Sequence, residues 1–316
     1  MRRVVLIYNP ASGQQSKRRA AIIADALELL RNAGVQANAL ETNAPGSAAA
    51  LVQSAIRDGC DAVLACGGDG TANEILQGLV GTPVALGIVP LGTANALAAN
   101  LGLWAAPLKV VEKLLSAAAV EVPVGRIFYM DGDGAQRSRY FTVAAGVGAD
   151  ALCIARLDAK LKRRFGYALY MMEMLRVWAT HSFPLFQAEF VPVGGGAPRM
   201  EVVSELLAVR IRDFGGLLHI LAPGSSLRNN SLRLLAFKTR SRLHYMRFVL
   251  ASLFKRQTFS NEIELLDVSS VQCRYRDGTP SSVYVEADGE LLGGLPVKME
   301  IAPQKLTLLI PPGARP

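Results

Sequence analysis

Residues 61–79, DAVLACGGDGTANEILQGL, decide the fold that we predict for this chain. They open with a short apolar run, pass through the glycine-rich loop GGDGT and continue with the apolar spacing of a helix. Short apolar runs bounded by turn residues are typical of buried parallel strands. The stretch therefore predicts a strand whose loop lies at a helix N-terminus, where backbone N–H groups can bind an anion such as phosphate.

The same order of strand, loop and helix recurs through residues 1–125. Further strands are predicted at 4–9, 36–41 and 84–89, and helices at 17–33, 47–58, 72–80 and 107–118. This alternation predicts an α/β nucleotide-binding domain with a doubly wound, mostly parallel sheet. Ligands of such sheets bind at the carboxyl ends of the strands.

After about residue 125 the pattern changes to alternating apolar and polar residues, which is typical of antiparallel strands. We predict a second β-rich, sandwich-like domain over 126–302, with the segment 303–316 a candidate to pack back on the first domain. We expect the active site in a cleft between the two domains. The predicted strands are 139–146, 185–192, 202–212, 232–238, 269–276, 282–287, 297–302 and 305–310, with helices at about 156–178 and 241–255.

Composition excludes several classes of protein. The four cysteines form no CxxC pair and the three histidines are far apart, which indicates a reducing cytoplasm and disfavours a zinc or iron site. The longest uncharged run, 75–108, is broken by prolines and glycines, so we predict no membrane span. An apolar run too short for a signal peptide follows the first three residues. Neither GxxxxGK[ST] nor GxGxxG is present, which disfavours P-loop and dinucleotide Rossmann enzymes.

The positive charge is concentrated in the second part of the chain. Residues 1–125 hold nine basic and nine acidic residues, so the whole net charge of +8 lies beyond them. Residues 228–256 hold eight Lys or Arg and no acid, interleaved with apolar side chains. This pattern favours peripheral contact with an anionic membrane. A solvated helix face is the alternative, and we expect no nucleic-acid partner because no nucleic-acid-binding motif accompanies the segment.

Three strand-ending loops carry small residues, hydroxyls and free N–H groups: NPASG at 9–13, GGDGT at 67–71 and PLGTAN at 90–95. Asp69 distinguishes the second loop. A carboxylate there would repel phosphates unless Mg²⁺ lies between them or the carboxylate takes a proton from the acceptor. The alternative is a turn-forming Asp that caps the following helix.

Together with VEADGELLGGLP at 285–296, these loops resemble the diacylglycerol kinase catalytic-domain family, which includes bacterial lipid kinases and sphingosine kinases. The stretch 161–178, LKRRFGYALYMMEMLRVW, is similar to a family helix that carries a Lys/Arg cluster. The resemblance covers nearly the whole chain. It implies a two-domain, ATP- and Mg²⁺-dependent kinase that phosphorylates a hydroxyl of a membrane lipid, diacylglycerol-like or sphingoid-like.

The resemblance also implies roles for individual residues. Asp69, Asp288 and Glu290 would be catalytic, and Asp69 and Glu290 would hold Mg²⁺. Basic side chains at 160–164 would screen phosphate or touch lipid headgroups, with a solvated helix face as the alternative. The nucleotide would be bound by Asn9, Gly13, Thr42, Gly67, Gly68, Gly70, Thr71, Gly92, Thr93 and Asn95.

Some positions depart from the family pattern. Ala96 and Pro123 stand where many members have Asp, and Arg228-Asn229-Asn230 replaces an Asp-Asp-Gly turn associated with a structural Mg²⁺. Two alternatives stay open: an NAD kinase-like enzyme, which shares GGDGT, and a catalytically impaired lipid-binding regulatory protein. The sequence leaves open the lipid, the nucleotide preference and the oligomeric state, for which a homodimer is one candidate.

Overall fold

The computed structural model describes residues 1–10, 16–157, 159–214, 221–254, 256, 259–277 and 283–314, with backbone alone at 16–17 and 159–168. The chain divides into two compact units. The first unit comprises 1–123 together with 303–316, and the second comprises 124–302.

The first unit alternates strands and helices as predicted. Its elements are β1 (Arg3–Tyr8), α1 (Ser16–Asn32), β2 (Gln36–Glu41), α2 (Ser47–Arg57), β3 (Ala62–Gly67), α3 (Asp69–Leu79), β4 (Ala85–Pro90), α4 (Ala96–Asn100) and α5 (Pro107–Leu115). The strands are parallel and lie in the order β2-β1-β3-β4. Strand β3 is buried along its whole length, which explains its continuous apolar run.

The strand order places the loops of interest side by side. The chain moves from β1 to β2 in one direction and then crosses back to β3 on the other side of β1. Because crossover connections are right-handed, α1 covers one face of the sheet and α2 and α3 cover the other. The carboxyl ends of β1 and β3 therefore flank the point where the direction reverses, which is where open α/β sheets bind ligands.

The second unit is β-rich and antiparallel, which confirms the predicted fold class. Its elements are β5 (Ala118–Met130), β6 (Gln136–Phe141), β7 (Ala144–Val147), α6 (Ala149–Arg156), α7 (Ala159–Thr180), β8 (Phe186–Pro192), β9 (Arg199–Val203), β10 (Glu205–Val209), β11 (Leu232–Phe237), α8 (Arg242–Leu253), β12 (Ile263–Arg274), β13 (Tyr284–Ala287), β14 (Glu290–Gly294) and β15 (Val297–Ile310). One path of strands runs β14-β13-β7-β10-β11-β12-β15, and β12 also pairs with β8. Buried side chains such as Phe141, Phe186 and Leu206 fill the core of this unit.

Several predicted element bounds in the second half are wrong. The helix predicted at about 156–178 corresponds to α7, whereas the helix α6 and the strand β5 were not predicted. The strands predicted at 297–302 and 305–310 form one strand, β15, which contains Pro303. The first residues of β15 pair with β12 and its last part pairs with β4. Pro303 lies where the strand changes partner, a position at which a missing N–H donor costs little.

No helix in the described part of the chain combines the length and the apolar character that a membrane span requires.

Candidate functional site

The loops that follow β3 and β4 touch backbone to backbone. The N–H of Leu91 donates to the carbonyl of Gly67 at 2.8 Å. A methyl group added at Gly92 would lie 2.5 Å from the Cα of Gly68. Glycine is therefore required at position 92, because a side chain there would collide with the backbone of the other loop.

The carboxylate of Asp69 joins the same two loops. It accepts hydrogen bonds from the backbone N–H groups of Asn95 at 2.8 Å and Ala96 at 2.7 Å. Asp69 is the first residue of α3, and Ala96 is the first residue of α4. A negative charge at these helix N-termini is favourable because unpaired N–H groups and the helix dipole both point toward it. Asp69 thus caps α4. The alternative considered from the sequence was that it caps the helix that directly follows it, α3.

Asn95 closes the third loop on itself. Its side-chain oxygen accepts from the N–H of Gly92 at 3.2 Å, and its side-chain amide donates to the Gly92 carbonyl at 2.7 Å. Its backbone is left-handed, with φ of 51°. Asn adopts this conformation more readily than most residues, so its presence here has a local conformational reason. Thr93 in the same loop is exposed.

Arg19 is a residue of this region that the sequence analysis missed. Its guanidinium donates to the carbonyl of Asn9 at 2.7 Å and to the carbonyl of Leu91 at 3.2 Å, so it links the first loop to the third. Burial lowers the pKa of Arg19. The sequence pattern that could have identified Arg19 is its spacing from Ile23 and Ala26, which puts it on the buried side of α1.

The other residues that we predicted to bind the nucleotide lie in different surroundings. The hydroxyl of Thr71 packs against Gly67, where an added methyl group would lie 2.6 Å from it. Gly70 is exposed in the first turn of α3. Thr42 is buried just after β2, and its N–H donates to Tyr8 at the end of β1. Gly13 lies outside the described residues, as do the basic side chains at 160–164.

In the second unit, Asp288 and Glu290 flank the turn of the β13–β14 hairpin but have different surroundings. The Asp288 carboxylate accepts from the backbone N–H groups of Thr142, Val143 and Ala144 at 2.9 to 3.1 Å. Asp288 has a left-handed backbone, with φ of 48°. It therefore fixes the segment that enters β7 and is no exposed turn residue.

Glu290 is held by an ion pair instead of backbone N–H groups. Its carboxylate forms an ion pair with the guanidinium of Arg139 on β6 at 2.7 Å. About a third of the Glu290 side chain is exposed. Arg139, which the sequence analysis did not single out, orients this carboxylate.

A cluster of three further carboxyl groups lies inside the second unit: Asp150, Glu205 and Glu286. Glu205 accepts from the N–H groups of Ala149 and Asp150 and so caps α6. Burial, and then the charge of Asp150, raises the pKa of Glu205 and of Glu286 well above the usual range. Burial also raises the pKa of Asp150, which accepts a hydrogen bond from the Tyr170 hydroxyl at 2.5 Å. Protonated carboxyl groups are expected here, since three adjacent charges cannot all persist away from water.

Two members of this cluster, Asp150 and Glu205, line an apolar cavity of about 150 Å³. Asp150, Glu205 and Tyr170 supply its polar wall. The rest of the lining is almost entirely apolar: Met171, Met174, Leu175, Val177, Trp178, Phe183, Leu207, Leu221, Leu235, Phe237, Tyr245, Met246, Phe248 and Val249, with Ala149 and Cys153. The second unit therefore encloses an apolar space with polar groups on one wall, the usual character of a small-molecule site.

The turn at 228–230 replaces the family turn that is associated with a structural Mg²⁺. In this chain an arginine side chain binds it. The buried guanidinium of Arg210 donates to the backbone carbonyls of Asn229, Ser231 and Leu227 at 2.6 to 3.2 Å. Burial lowers the pKa of Arg210 to about 10. The carbonyl oxygens at this turn are thus engaged by the positive charge of Arg210.

No group of three or more His, Cys, Asp or Glu side chains among the described residues is arranged to hold a metal ion. This finding concerns sites built entirely from protein side chains. A Mg²⁺ ion bound through one or two carboxylates and substrate phosphates needs no such group.

Comparison with known proteins gives two matching family models. Residues 3–127 match the diacylglycerol kinase catalytic domain. Residues 141–310 match the YegS C-terminal NAD kinase beta sandwich-like domain.

Curated relatives match along nearly the whole chain. The diacylglycerol kinase of Bacillus subtilis (strain 168) is 27% identical, with 94% of this chain and 92% of that protein covered. The diacylglycerol kinase of Mycobacterium tuberculosis (strain ATCC 25618 / H37Rv) is 28% identical, with 98% and 95% covered.

Solved structures share the fold. A diacylglycerol kinase from Bacillus anthracis str. Sterne superposes with a TM-score of 0.75 at 20% identity, over 98% of this chain and 97% of that one. Yeast NADH kinase complexed with NADH gives a TM-score of 0.53 at 11% identity, over 98% and 83%.

The backbone contact between Gly68 and Gly92 predicts a stability difference between two glycine substitutions. We expect Gly92→Ala to lower the free energy of unfolding by about 1–3 kcal/mol, because the added methyl group overpacks the contact. Gly70→Ala is the control, since an added methyl group there meets nothing within 4 Å. Urea unfolding of both variants measures the difference, and equal stabilities would contradict the loop contact.

Proposed function

This chain belongs to the diacylglycerol kinase catalytic-domain family, and we propose that it transfers the γ-phosphate of ATP to a hydroxyl group of a membrane lipid. The apolar cavity of the second unit carries this proposal, because a kinase for a soluble nucleotide has no use for it. Its lining suits a hydrocarbon chain, and Asp150, Glu205 and Tyr170 suit the polar end of the same molecule. The acceptor class we propose is a long-chain lipid, diacylglycerol-like or sphingoid-like.

The first unit supplies the nucleotide site in this proposal. The loops after β3 and β4 present backbone N–H groups and hydroxyls at helix N-termini, and these would hold the phosphates. Asp69 and Arg19 keep the loops in register. We propose that Asp69 and Glu290 hold Mg²⁺ together with the phosphates of ATP, since carboxylate oxygens are its preferred protein ligands. Bound Mg²⁺ would neutralise charge on the transferred group.

The proposed reaction is a direct transfer. The hydroxyl oxygen of the lipid bonds to the γ-phosphorus, the bond from that phosphorus to the bridging oxygen of ADP breaks, and a carboxylate receives the hydroxyl proton. Asp69 and Glu290 are the candidates for this proton, and Asp288 holds the turn that carries Glu290. The work of the chain is positioning and charge stabilisation, with no covalent intermediate.

We further propose that the protein works in the cytoplasm as a peripheral membrane protein. All four cysteines are unpaired and buried, which suits a reducing compartment. A lipid substrate resides in a bilayer, so the enzyme must approach one.

An NAD kinase-like activity is the second candidate. The fold similarity to yeast NADH kinase favours it. The apolar cavity disfavours it, because a dinucleotide has no long apolar chain to place there.

The decisive experiment incubates the purified protein with radiolabelled ATP, Mg²⁺ and a panel of lipids in mixed micelles. The panel contains diacylglycerol, monoacylglycerol, ceramide, a sphingoid base and phosphatidylglycerol, and NAD is included as the soluble acceptor. We expect label in the organic extract with at least one lipid. Label only in NADP would favour the second candidate, and no transfer at all would favour a regulatory protein.

Asp69 provides the first test of the catalytic roles. We expect Asp69→Asn to lower lipid phosphorylation by about 10² or more, because the neutral amide binds Mg²⁺ more weakly than a carboxylate and does not take a proton. Asp61→Asn is the matched control, since the Asp61 carboxylate also accepts two backbone N–H bonds in the first unit, from Arg2 and Arg3. Both variants should lose similar stability. Near-native turnover of Asp69→Asn would show that its role is structural alone.

The two acids of the β13–β14 turn should behave differently. Asp288→Asn should lower the free energy of unfolding by about 1–3 kcal/mol, because three buried N–H groups lose an anionic acceptor. Glu290→Gln should leave stability within about 0.5 kcal/mol and lower turnover by about 10².

Glu300→Gln is the control for the second variant, since Glu300 is an ion-paired acid of the same unit, bound to Lys298 at 2.6 Å. Melting temperature and phosphorylation rate are measured on the same preparations. If Glu290→Gln retains the turnover of Glu300→Gln, Glu290 serves only the ion pair.

A cavity-filling substitution tests the acceptor site. Val249→Trp places a large ring in the apolar cavity, and we expect phosphorylation of a long-chain lipid to fall at least about tenfold. A short-chain lipid with the same headgroup should keep its rate. Val193→Trp, at an exposed position after β8, is the control. Equal rates of the two variants on the long-chain lipid would remove the cavity from the substrate path.

A further inference from the structure

The helices α7 and α8 present apolar side chains to solvent. Leu243, Leu250 and Phe254 are exposed at 65%, 47% and 73% on α8 and at its C-cap. Together with Arg247 they lie at positions i, i+4, i+7 and i+11, which is one face of a helix. Buried residues, including Tyr245 and Phe248, lie on the opposite side of α8. The exposed stripe is therefore separate from the face that packs against the core.

A second stripe lies on α7, which contacts α8. Met172 and Leu175 are exposed at 65% and 54%, and Arg176 follows them on the surface. The end of α7 is tied to the start of α8, because the indole N–H of Trp178 donates to the carbonyl of Arg242 at 2.9 Å. The two stripes form one surface, the α7–α8 face, defined by Met172, Leu175, Arg176, Arg242, Leu243, Arg247, Leu250 and Phe254.

The charge of the α7–α8 face is positive. Helix α8 contains no acidic residue, and Arg242 and Arg247 are exposed on it. Glu173 of α7 is mostly buried and lies 3.7 Å from both Arg156 and Arg176. An exposed mixture of cations and large apolar side chains is the composition of helices that lie in the interface of an anionic bilayer.

Some cations of the basic segment 228–256, which is predicted to face the membrane, are paired with acids of the chain. Lys238 pairs with Glu201 and Glu264, and Arg233 pairs with Asp267. These cations neutralise acids of neighbouring strands. The cations that we assign to the membrane are the arginines of the α8 region: Arg240, Arg242, Arg247 and Arg256.

The same two helices wall the apolar cavity on their inner sides. Met171 and Met174 of α7 and Met246 and Val249 of α8 line it. Leu175 belongs to both surfaces, since it lines the cavity and is also exposed on the α7–α8 face. Leu175 is therefore the residue at which the cavity lining and the α7–α8 face meet.

We propose that the α7–α8 face docks on the surface of an anionic lipid bilayer and that a lipid chain enters the cavity there, past Leu175, directly from the bilayer. This inference rests on the proposed function and adds the route of the substrate. A second copy of this chain fits the face poorly, because a two-fold contact would bring the arginines of one copy against those of the other.

Sedimentation with vesicles tests the docking without any catalytic step. The probe is phosphatidylglycerol–phosphatidylcholine vesicles, with pure phosphatidylcholine vesicles as the neutral comparison. The combined Leu243→Ser, Leu250→Ser and Phe254→Ser variant should bind the anionic vesicles at least about a hundredfold more weakly. Val193→Ser with Met200→Ser is the control, since these exposed apolar residues lie elsewhere, around the loop between β8 and β9.

The charge is tested separately with Arg240→Gln, Arg242→Gln and Arg247→Gln combined. Binding at low salt should fall about a hundredfold, and added salt should reduce the difference from wild type. Arg57→Gln, an exposed arginine of α2, is the control. Melting temperatures establish that the variants are folded, and each should keep wild-type phosphorylation of a short-chain, water-soluble substrate.

Equal vesicle binding by wild type and the serine variant would overturn the proposal. So would loss of binding to DNA in the arginine variant with vesicle binding unchanged. Lipid phosphorylation in micelles would survive either result, so a failure of the docking surface is distinguishable from a failure of the kinase assignment, in which no lipid is labelled at all.

Discussion

The first unit depends on one carboxylate, that of Asp69, which accepts the N–H groups of Asn95 and Ala96 and so joins the loop after β3 to the loop after β4. The contact of Gly68 with Gly92 allows the loops to approach this closely. A charge-assisted hydrogen bond at a helix N-terminus is stronger than a neutral one, so the loops are held in one arrangement before any ligand binds. Loops that are held in one arrangement suit phosphoryl transfer, in which positioning is most of the catalytic work.

The second unit is organised by buried acids. Glu205 caps α6, Glu286 accepts from the N–H of Gly289, and Asp150 accepts from Tyr170. Each has a backbone or side-chain donor, which offsets part of the cost of burying a carboxyl group. Because their pKa values are raised, the folded state holds protons that the unfolded chain releases. The contribution of these groups to the free energy of unfolding therefore falls as pH rises above the usual carboxyl range.

Sequence reasoning found what is local in the chain. The loops at 67–71 and 90–95 are contiguous motifs next to strongly apolar strands, so their positions and the parallel sheet followed from pattern alone. Arg19 was missed because its partners, Asn9 and Leu91, are brought to it only by the fold. Asp150, Glu205 and Glu286 come from three separate elements, and no spacing predicts their cluster. Strands β5 and β15 were missed or divided because each contains a proline, which pattern rules assign to a strand boundary.

The pairing of β15 with β4 has a consequence for how the protein is made. Strand β4 leaves the ribosome well before its partner in the parallel sheet, because Leu308 of β15 follows Leu86 of β4 by about 220 residues. At about 5–20 residues per second, the sheet edge at β4 stays unpaired for roughly 10–40 s of synthesis. An unpaired strand edge is a template for pairing with other chains. The nascent first unit therefore needs protection until the whole second unit has emerged, and the two units cannot mature in simple order from the N-terminus.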